Sequence, residues 1–243
     1  MKTILFDLDI KEDKHNHSLI RVGDERDGGY LLPLGIIENS NFLISGGLNY
    51  NIRFELGILN INPSIELLLY DKSVSSFKFF IRIFYYLLHP KRSFYNGLVD
   101  FGSWKVLLRN KKSFFYKEFI LESNVKSIFN KSFSGKGILK LDIENSEWEL
   151  LESIIEFKQL FHVIIIEFHD IIKNKRLLNN FISQLKFIKY YIDVNDNKVD
   201  PDVKKTHLSN VVELHFLNPN STELISDIYK RRSNNIRLAI KSF

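Results

Sequence analysis

Acidic side chains and a histidine follow two apolar runs of the sequence. Asp142 and Glu144 stand at the end of ILKLDI, and His169 and Asp170 follow VIIIEF. Neither run alternates strictly between polar and apolar residues, which is typical of strands buried on both faces. The carboxyl ends of parallel strands meet at one edge of a sheet, so we expect these four side chains to converge there.

Two kinds of chemistry fit a histidine among carboxylates. In the first, a divalent cation such as Mg²⁺ or Mn²⁺ lowers the pKa of a bound hydroxyl and orients it. Its predicted ligands are Asp142, Glu144, His169 and Asp170. In the second, no cation binds and His169 is the general base of a catalytic edge that includes Asp142 and Glu144. Gathered carboxylates repel one another unless a cation or a proton is shared among them, which favours the cation.

Two further acids, Glu147 and Glu149, follow in the same stretch. Both fall in the first turn of a predicted helix, where negative charge interacts favourably with the helix dipole. We interpret them as helix-stabilising residues and assign them no role in the site.

A second candidate site follows the first two predicted strands. Ser45 is followed by Gly46, Gly47 and, two residues later, Asn49, directly before a predicted helix. Paired glycines let the backbone approach a ligand closely, and a helix N-terminus favours an anionic group. Asp71 follows the next strand and could accept hydrogen bonds from both hydroxyls of a ribose. This is a nucleoside-binding pattern, and the absence of GxGxxG argues against a dehydrogenase.

The elements that must position these residues are predicted from short apolar runs. Six runs are predicted as strands: Phe42–Ser45, Ile65–Tyr70, Ile138–Ile143, Val163–Phe168, Phe187–Val194 and Val211–Leu217. Three segments with apolar residues at helical spacing lie between them: Asn51–Leu59, Ser146–Phe157 and Lys173–Leu185. This alternation predicts an α/β fold with a mainly parallel sheet. No helix separates the last two strands, which predicts an antiparallel pair.

The composition is that of an ordinary globular protein. The 243 residues are 44% hydrophobic and 26% charged, without repeats or linkers, so we expect one domain over 1–243. The chain has no cysteine, which excludes disulfides, thiolate zinc sites and cysteine nucleophiles. Without a secretory signal or an apolar run of about 20 residues, a cytoplasmic location is expected. The net charge of +5 suits an acidic or phosphorylated substrate and does not by itself indicate nucleic acid.

Residues 74–112 interrupt the alternation with a basic, aromatic segment that contains FKFFIRIFYYLLHPKRSF. We predict an insertion that forms a lid, a substrate-binding element or a homodimer face. The alternative, a helix lying on a membrane, is less favoured. The basic residues of this region could contact a substrate diphosphate or form a solvated face: Lys91, Arg92, Arg109, Lys111 and Lys112.

Several motifs resemble one known family. LKLDIENSEWELLESI resembles the LKxDIEGxEWxxL signature of the FkbM-type S-adenosylmethionine-dependent methyltransferases. Further segments resemble that family in the same order: RVGDERDGGYLLP, ISGGLNYNIRFELGIL, VIIIEFHD, YYIDVNDNKV and LSNVVELHFL. Asn145 stands where the family has glycine, and YYIDVND lacks its histidines. The resemblance runs from about Arg21 to about Leu217 and does not cover residues 74–112.

The resemblance implies a Rossmann-like class I methyltransferase fold. Its sheet would have seven strands with the last one antiparallel, helices on both faces, and S-adenosylmethionine at the first two strand ends. Gly46 and Gly47, in the loop of residues 46–49 that we call the glycine loop, would face the methionine part. Glu55 would help to hold the methionine part, and the turn at 27–29 would close over the cofactor. The predicted cofactor-binding residues are Tyr30, Gly46, Gly47, Asn49, Glu55 and Asp71.

The implied activity is O-methylation of a sugar hydroxyl. The acceptor expected is a nucleotide-linked sugar, similar to a GDP-heptose, in bacterial capsule or surface-polysaccharide synthesis. Two alternatives stay open: methylation of a lipid-linked glycan or natural product, and a cofactor-binding protein without activity.

Overall fold

A computed structural model of the chain describes residues 19–24, 28–78, 80–81, 94–194 and 210–225. Its strands are β1 (Leu19–Gly23), β2 (Gly29–Pro33), β3 (Phe42–Gly46), β4 (Glu66–Tyr70), β5 (Ser113–Tyr116), β6 (Gly137–Leu141), β7 (Phe161–His169), β8 (Ile188–Val194) and β9 (Val211–Leu217). Its helices include α1 (Leu34–Asn39), α2 (Arg53–Ile61), α3 (Phe94–Arg109), α4 (Glu122–Phe129), α5 (Glu147–Phe157) and α6 (Ile171–Leu185).

Seven of the strands form one sheet in the order β5-β4-β3-β6-β7-β9-β8. Strand β9 runs antiparallel to both of its neighbours, and the other pairs are parallel. The predicted α/β fold, its mainly parallel seven-stranded sheet and its antiparallel last strand are therefore confirmed. Strand β9 lies between β7 and β8, so the last strand of the chain does not form the edge of the sheet.

Alternation along the strands divides the core between the two faces of the sheet. Phe42 and Ile44 of β3 pack on one face, with buried residues of α4, α5 and α6. Leu43 packs on the other face, with buried residues of α1, α2 and α3. Side chains of a strand point alternately to opposite sides, so a strand covered by helices on both sides is apolar at nearly every position. The prediction of helices on both faces is confirmed.

A two-stranded hairpin, β1–β2, lies outside the main sheet and packs against α2. The carbonyl oxygen of Leu31 in β2 accepts hydrogen bonds from the Tyr190 hydroxyl of β8 and from Nδ1 of His215 in β9. These bonds hold the hairpin over the antiparallel end of the sheet.

Strand β5 and helix α4 were not predicted from the sequence. Strand β5 has four residues at the edge of the sheet, and its side chains are only partly buried or exposed. Such a strand lacks the apolar run that marks a buried one. Within the predicted insertion, α3 occupies residues 94–109, and residues 82–93, including Pro90, lie outside the described residues. None of the described helices combines the length and the apolar character needed to cross a lipid bilayer.

Candidate active site

The glycine loop follows β3 at the carboxyl edge of the sheet, as predicted. Gly47 has a φ of +75°, and a Cβ atom there would overlap the carbonyl oxygen of Asp142. The Asp142 amide donates to the carbonyl of Gly46 at 3.1 Å, and the Gly47 amide donates to the carbonyl of Tyr70 at 3.1 Å. Glycine is therefore needed at position 47 because the loop packs against the backbone that follows β6.

Asp71 lies directly after β4, facing the same loop. Its Oδ2 accepts from the Asn49 amide at 2.8 Å, and its Oδ1 accepts from the amide and the hydroxyl of Ser73 at 2.7 and 2.6 Å. A carboxylate offers about four lone-pair sites, so these three bonds leave room for about one more donor. Asp71 is placed where a ribose could reach it, yet it also orders the loop, which the sequence did not indicate.

Glu55 is a buried acid in the first turn of α2, with 1% exposure. Its Oε1 accepts from the Ser45 hydroxyl at 2.6 Å, and its Oε2 has no hydrogen-bond partner among the described residues. Burial raises the pKa of Glu55, and the positive charge of Lys140 partly offsets this. The carboxylate therefore holds an unused acceptor beneath the glycine loop.

Lys140 is a buried cation that sequence reasoning missed. Its register in β6 pairs it with Ser45 of β3, on the side of the sheet covered by α2. Its Nζ donates to the carbonyl of Gly47 at 2.8 Å and lies 3.9 Å from Oδ2 of Asp142. Lysine is rarely buried without a charged partner, so its presence inside an apolar strand was the signal that could have identified it. Lys140 therefore links the glycine loop to the acidic edge, which consists of Asp142, Glu144 and His169 at the ends of β6 and β7.

Tyr30 projects from β2 into the space between α2 and β9. Its ring packs edge-on against Phe54 at 4.7 Å between centroids, and Nζ of Lys140 lies 5.5 Å from its centre. Burial and the negative charge of Asp142 raise the pKa of Tyr30, so its hydroxyl keeps its proton. A side chain at Gly28 would meet Asn51, two residues after the glycine loop, so Gly28 lies close to that loop. Asp27 lies outside the described residues.

The acidic edge brings three of the four predicted ligands together. Asp142, Glu144 and His169 each offer an atom within 4.8 Å of the others. The chain leaves β6 through two left-handed residues, Glu144 at φ 48° and Asn145 at φ 72°. Asparagine is among the non-glycine residues that adopt this conformation most readily, so Asn145 suits this position.

Asp170 is the predicted ligand that does not join this group. It precedes α6 with a φ of 51°, and its Oδ1 accepts from the Asn210 side chain at 2.7 Å. Its carboxylate is engaged with the segment before β9. Asp170 was predicted as one of four ligands, and in the structure its carboxylate contacts Asn210 while Asp142, Glu144 and His169 lie together.

Glu147, which we interpreted as a helix-stabilising residue, has a different environment. It is fully buried, and its Oε1 accepts from the backbone amide of His169 at 2.6 Å and faces Nδ1 of the ring at 3.1 Å. Glu167 of β7 also approaches, with its Oε1 3.4 Å from Nε2. Glu149 is exposed and agrees with the original interpretation. Both acids lie in the first turn of α5, as interpreted, but Glu147 also contacts His169, which the sequence did not indicate because it does not reveal which helix face meets β7.

The surroundings of His169 determine its protonation. Burial alone would lower the pKa of the ring, but the side-chain contacts with Glu147 and Glu167 and the negative charges of both outweigh it and raise the pKa to about 10. Without a cation, the ring is an imidazolium at neutral pH and has no free lone pair. This state argues against His169 as a general base near pH 7.

The basic residues assigned to a substrate diphosphate do not gather at this edge. Arg109 ends α3, and Lys111 and Lys112 directly precede β5, at the amino ends of the parallel strands. Nζ of Lys112 donates to the carbonyl of Ser64 at 2.7 Å. Arg109, Lys111 and Lys112 therefore lie where the parallel strands begin, whereas the glycine loop lies where they end. Lys91 and Arg92 lie outside the described residues.

Several solved structures are similar to this chain in fold. No family model and no curated protein matches the chain. One similar structure is a suggested RNA methyltransferase of Pyrococcus horikoshii, at 14% identity over 76% of this chain and 77% of that one, with a TM-score of 0.40. Another is precorrin-6y C5,15-methyltransferase of Geobacter metallireducens GS-15, at 8% identity over 76% and 86%, with a TM-score of 0.40. A third is the methyltransferase domain of METTL16, at 9% identity over 74% and 61%, with a TM-score of 0.37. The FkbM-type resemblance stays a prediction.

Proposed function

We propose that the chain is an S-adenosylmethionine-dependent O-methyltransferase that acts on a sugar hydroxyl. The observation that carries the proposal is the contact between two sites at one sheet edge. The glycine loop, with Asp71 beside it, packs directly on the backbone of Asp142, which belongs to the acidic edge. A cofactor on the loop would therefore lie next to groups able to hold an acceptor hydroxyl.

The residues at the loop fit the hydrogen-bonding groups of this cofactor. Glu55 Oε2 is a buried acceptor without a partner among the described residues, and Asp71 has about one acceptor site left. The ammonium of the methionine part and a ribose hydroxyl are donors that suit these two carboxylates. Gly46, Gly47 and Asn49 would line the loop between them, and Tyr30 would close the inner side.

S-adenosylmethionine supplies an electrophilic methyl group, and the protein's contribution is mainly to position the acceptor in line with it. Asp142 and Glu144 would bind the acceptor hydroxyl through a divalent cation, with His169 as the third ligand. A cation held there would supply Lewis-acid activation of the hydroxyl. The hydroxyl proton would leave to solvent while the methyl group moves from the sulfonium sulfur to the oxygen and S-adenosylhomocysteine is released. We extend the proposal to a nucleotide-linked sugar of bacterial surface-polysaccharide synthesis on the FkbM-type resemblance alone.

Isothermal titration with S-adenosylhomocysteine, followed by transfer of a labelled methyl group to a panel of nucleotide sugars, tests the proposal. We expect cofactor binding and label in a sugar. Binding without transfer to any acceptor would favour a non-catalytic cofactor-binding protein, and transfer only to lipid-linked glycans or natural products would change the substrate class. Absence of cofactor binding would overturn the proposal.

A further inference from the structure

Two buried carboxylates, Glu147 and Glu167, flank His169, and the sequence assigned neither of them a role in the site. Glu147 is 0% exposed and Glu167 is 7% exposed. A carboxylate can only accept, so the ring proton next to Glu147 resides on Nδ1. Because Glu147 also accepts from the backbone amide of the same histidine, the ring is held in one orientation at two points. The remaining nitrogen, Nε2, then faces the acidic edge.

Nε2 of His169 is a buried polar atom without a hydrogen-bond partner among the described residues, on a side chain that is only 6% exposed. It lies 3.4 Å from Oε2 of Glu144 and 3.4 Å from Oε1 of Glu167. Two ligand atoms that each bind one ion at about 2.1 Å are about 3.0–3.4 Å apart when adjacent. The distances of 3.4 Å from Nε2 to the two carboxylate oxygens therefore suit ligand atoms around a shared ion better than direct hydrogen bonds.

The negative charges around Nε2 also favour the binding of a cation. The carboxylates of Asp142, Glu144, Glu147 and Glu167 surround the ring. Among the described residues, the ring itself and Lys140, 3.9 Å from Asp142, are positive groups beside these carboxylates. Glu147 and Glu167 are buried beside the ring, and Asp142 and Glu144 are 28% and 75% exposed, so a divalent ion among them would be attracted by both the buried and the exposed carboxylates.

We propose that Glu147 is the positioning residue that turns Nε2 of His169 toward this cation. We propose further that Glu167, which lies 3.4 Å from Nε2 but outside the group formed by Asp142, Glu144 and His169, rotates to become the fourth protein ligand when the cation binds. This inference rests on the cation included in the proposed function. The imidazole ligand favours a first-row transition ion such as Mn²⁺ over Mg²⁺, which prefers oxygen ligands. A carboxylate that holds the far nitrogen of a ligating histidine is a common second partner of metal sites.

Electron paramagnetic resonance of Mn²⁺ added to the full, chelator-treated chain tests the inference. We expect one bound Mn²⁺ with a nitrogen coupling from His169. Glu147→Gln should weaken Mn²⁺ binding about 10- to 100-fold and alter the nitrogen coupling, because the ring loses its anchor. Glu167→Gln should weaken binding at least tenfold. Glu149→Gln, in the same helical turn but exposed, is the matched control and should bind like the wild type.

Two measurements protect the test against misfolding of the buried variants. Glu144→Gln changes a side chain that is 75% exposed, so its loss of Mn²⁺ affinity reports on the site without disturbing the core. A long-range proton–nitrogen NMR correlation spectrum of the histidine rings in the Zn²⁺-loaded wild type should place the His169 proton on Nδ1 and the metal on Nε2. The opposite assignment would overturn the role of Glu147 without any variant.

The remaining outcomes separate this inference from the proposed function. Mn²⁺ binding that is unchanged in folded Glu147→Gln and Glu167→Gln proteins overturns both assignments. Absence of Mn²⁺ binding in the wild type overturns the cation and the inference with it. S-adenosylhomocysteine titration of the same samples decides the methyltransferase proposal independently, since the cofactor loop contains none of these residues.

Discussion

At the residue scale, Asp71 and Lys140 both connect the glycine loop to neighbouring strand ends. Asp71 accepts from the loop amide of Asn49, and Lys140 donates to the loop carbonyl of Gly47. One residue thus satisfies a donor and the other an acceptor of the same short loop. The loop's shape depends on charged side chains as well as on its glycines.

Asp71→Ala should weaken S-adenosylhomocysteine binding about ten- to a hundredfold. The variant removes a charged acceptor from the ribose and releases the Asn49 amide, and hydrogen bonds to charged groups contribute roughly 1.5–3 kcal/mol. Titration calorimetry measures the effect. Ser73→Ala, which removes one donor to Asp71 and leaves its carboxylate in place, is the control and should lose much less affinity. An unchanged dissociation constant in Asp71→Ala would refute the assignment.

Lys140→Met should lower the free energy of unfolding by about 2–3 kcal/mol. The substitution leaves the loop carbonyl of Gly47 without its donor and removes the positive charge near Glu55. Urea unfolding at pH 7 measures the change. Lys126→Met removes an exposed ion pair with Glu156, which solvent screens, and should cost much less than Lys140→Met. Equal losses in the two variants would mean that the buried contacts of Lys140 contribute nothing.

At the element scale, β7 joins the acidic edge to the opposite end of the sheet. It is the longest strand of the sheet, with nine buried residues, and it ends in Glu167 and His169. Near its start, Nδ1 of His162 lies 2.7 Å from the Ser221 hydroxyl, beyond the end of β9. The same strand thus carries a site at its carboxyl end and a contact that closes the fold at its amino end.

His162 predicts an acid-sensitive component of stability. Burial and the positive charge of Lys136 lower the pKa of His162 to about 4, against an ordinary value near 6.5 in the unfolded chain. The unfolded state therefore binds a proton first as the pH falls from about 6.5 to about 4, and stability is lost over that range. At pH 5 the loss from this group is about 2 kcal/mol, which is 1.36 kcal/mol per pH unit over about 1.5 units.

Urea unfolding at pH 7 and pH 5, with wild type and His162→Gln, measures this component. The difference in unfolding free energy between the two pH values should be smaller in the variant by about 2 kcal/mol. The comparison cancels the titration of other groups because they are common to both proteins. An identical pH difference in the two proteins would show that His162 is not held neutral by the fold.

At the scale of the whole molecule, the proposed cofactor site draws on several strands of a single sheet. The glycine loop packs between the ends of β4 and β6, and the acidic edge adds the end of β7. A ligand held by these strand ends binds the folded chain and not the unfolded one. Ligand binding should therefore stabilise the sheet as a unit.

S-adenosylhomocysteine at about 100 times its dissociation constant should raise the melting temperature by roughly 5–10 °C. The linkage free energy is about 2.7 kcal/mol, and about 1 kcal/mol corresponds to roughly 2–4 °C in a domain of this size. Differential scanning calorimetry measures the shift. NAD at the same concentration is the control and should leave the melting temperature unchanged. A shift with NAD and none with S-adenosylhomocysteine would contradict the cofactor assignment.

The sequence by itself determined the parallel sheet, its antiparallel last strand, and the position of Asp142, Glu144 and His169 at adjacent strand ends. These features follow from local patterns: apolar runs of strand length, helical periodicity, and polar residues directly after a strand. Strand β5 was not predicted from the sequence because it is short and half-exposed, so its residues do not show the apolar pattern of a buried strand.

Only the tertiary structure decided which charged side chains share a buried space. Glu147 reaches His169 because α5 packs beside β7, and Lys140 reaches Gly47 because β6 pairs in register with β3. Asp170 turns to Asn210, and Arg109, Lys111 and Lys112 fall at the far edge of the sheet. A contact between residues distant in sequence depends on strand order, register and helix rotation, and none of these three is encoded in the residue types of either partner alone.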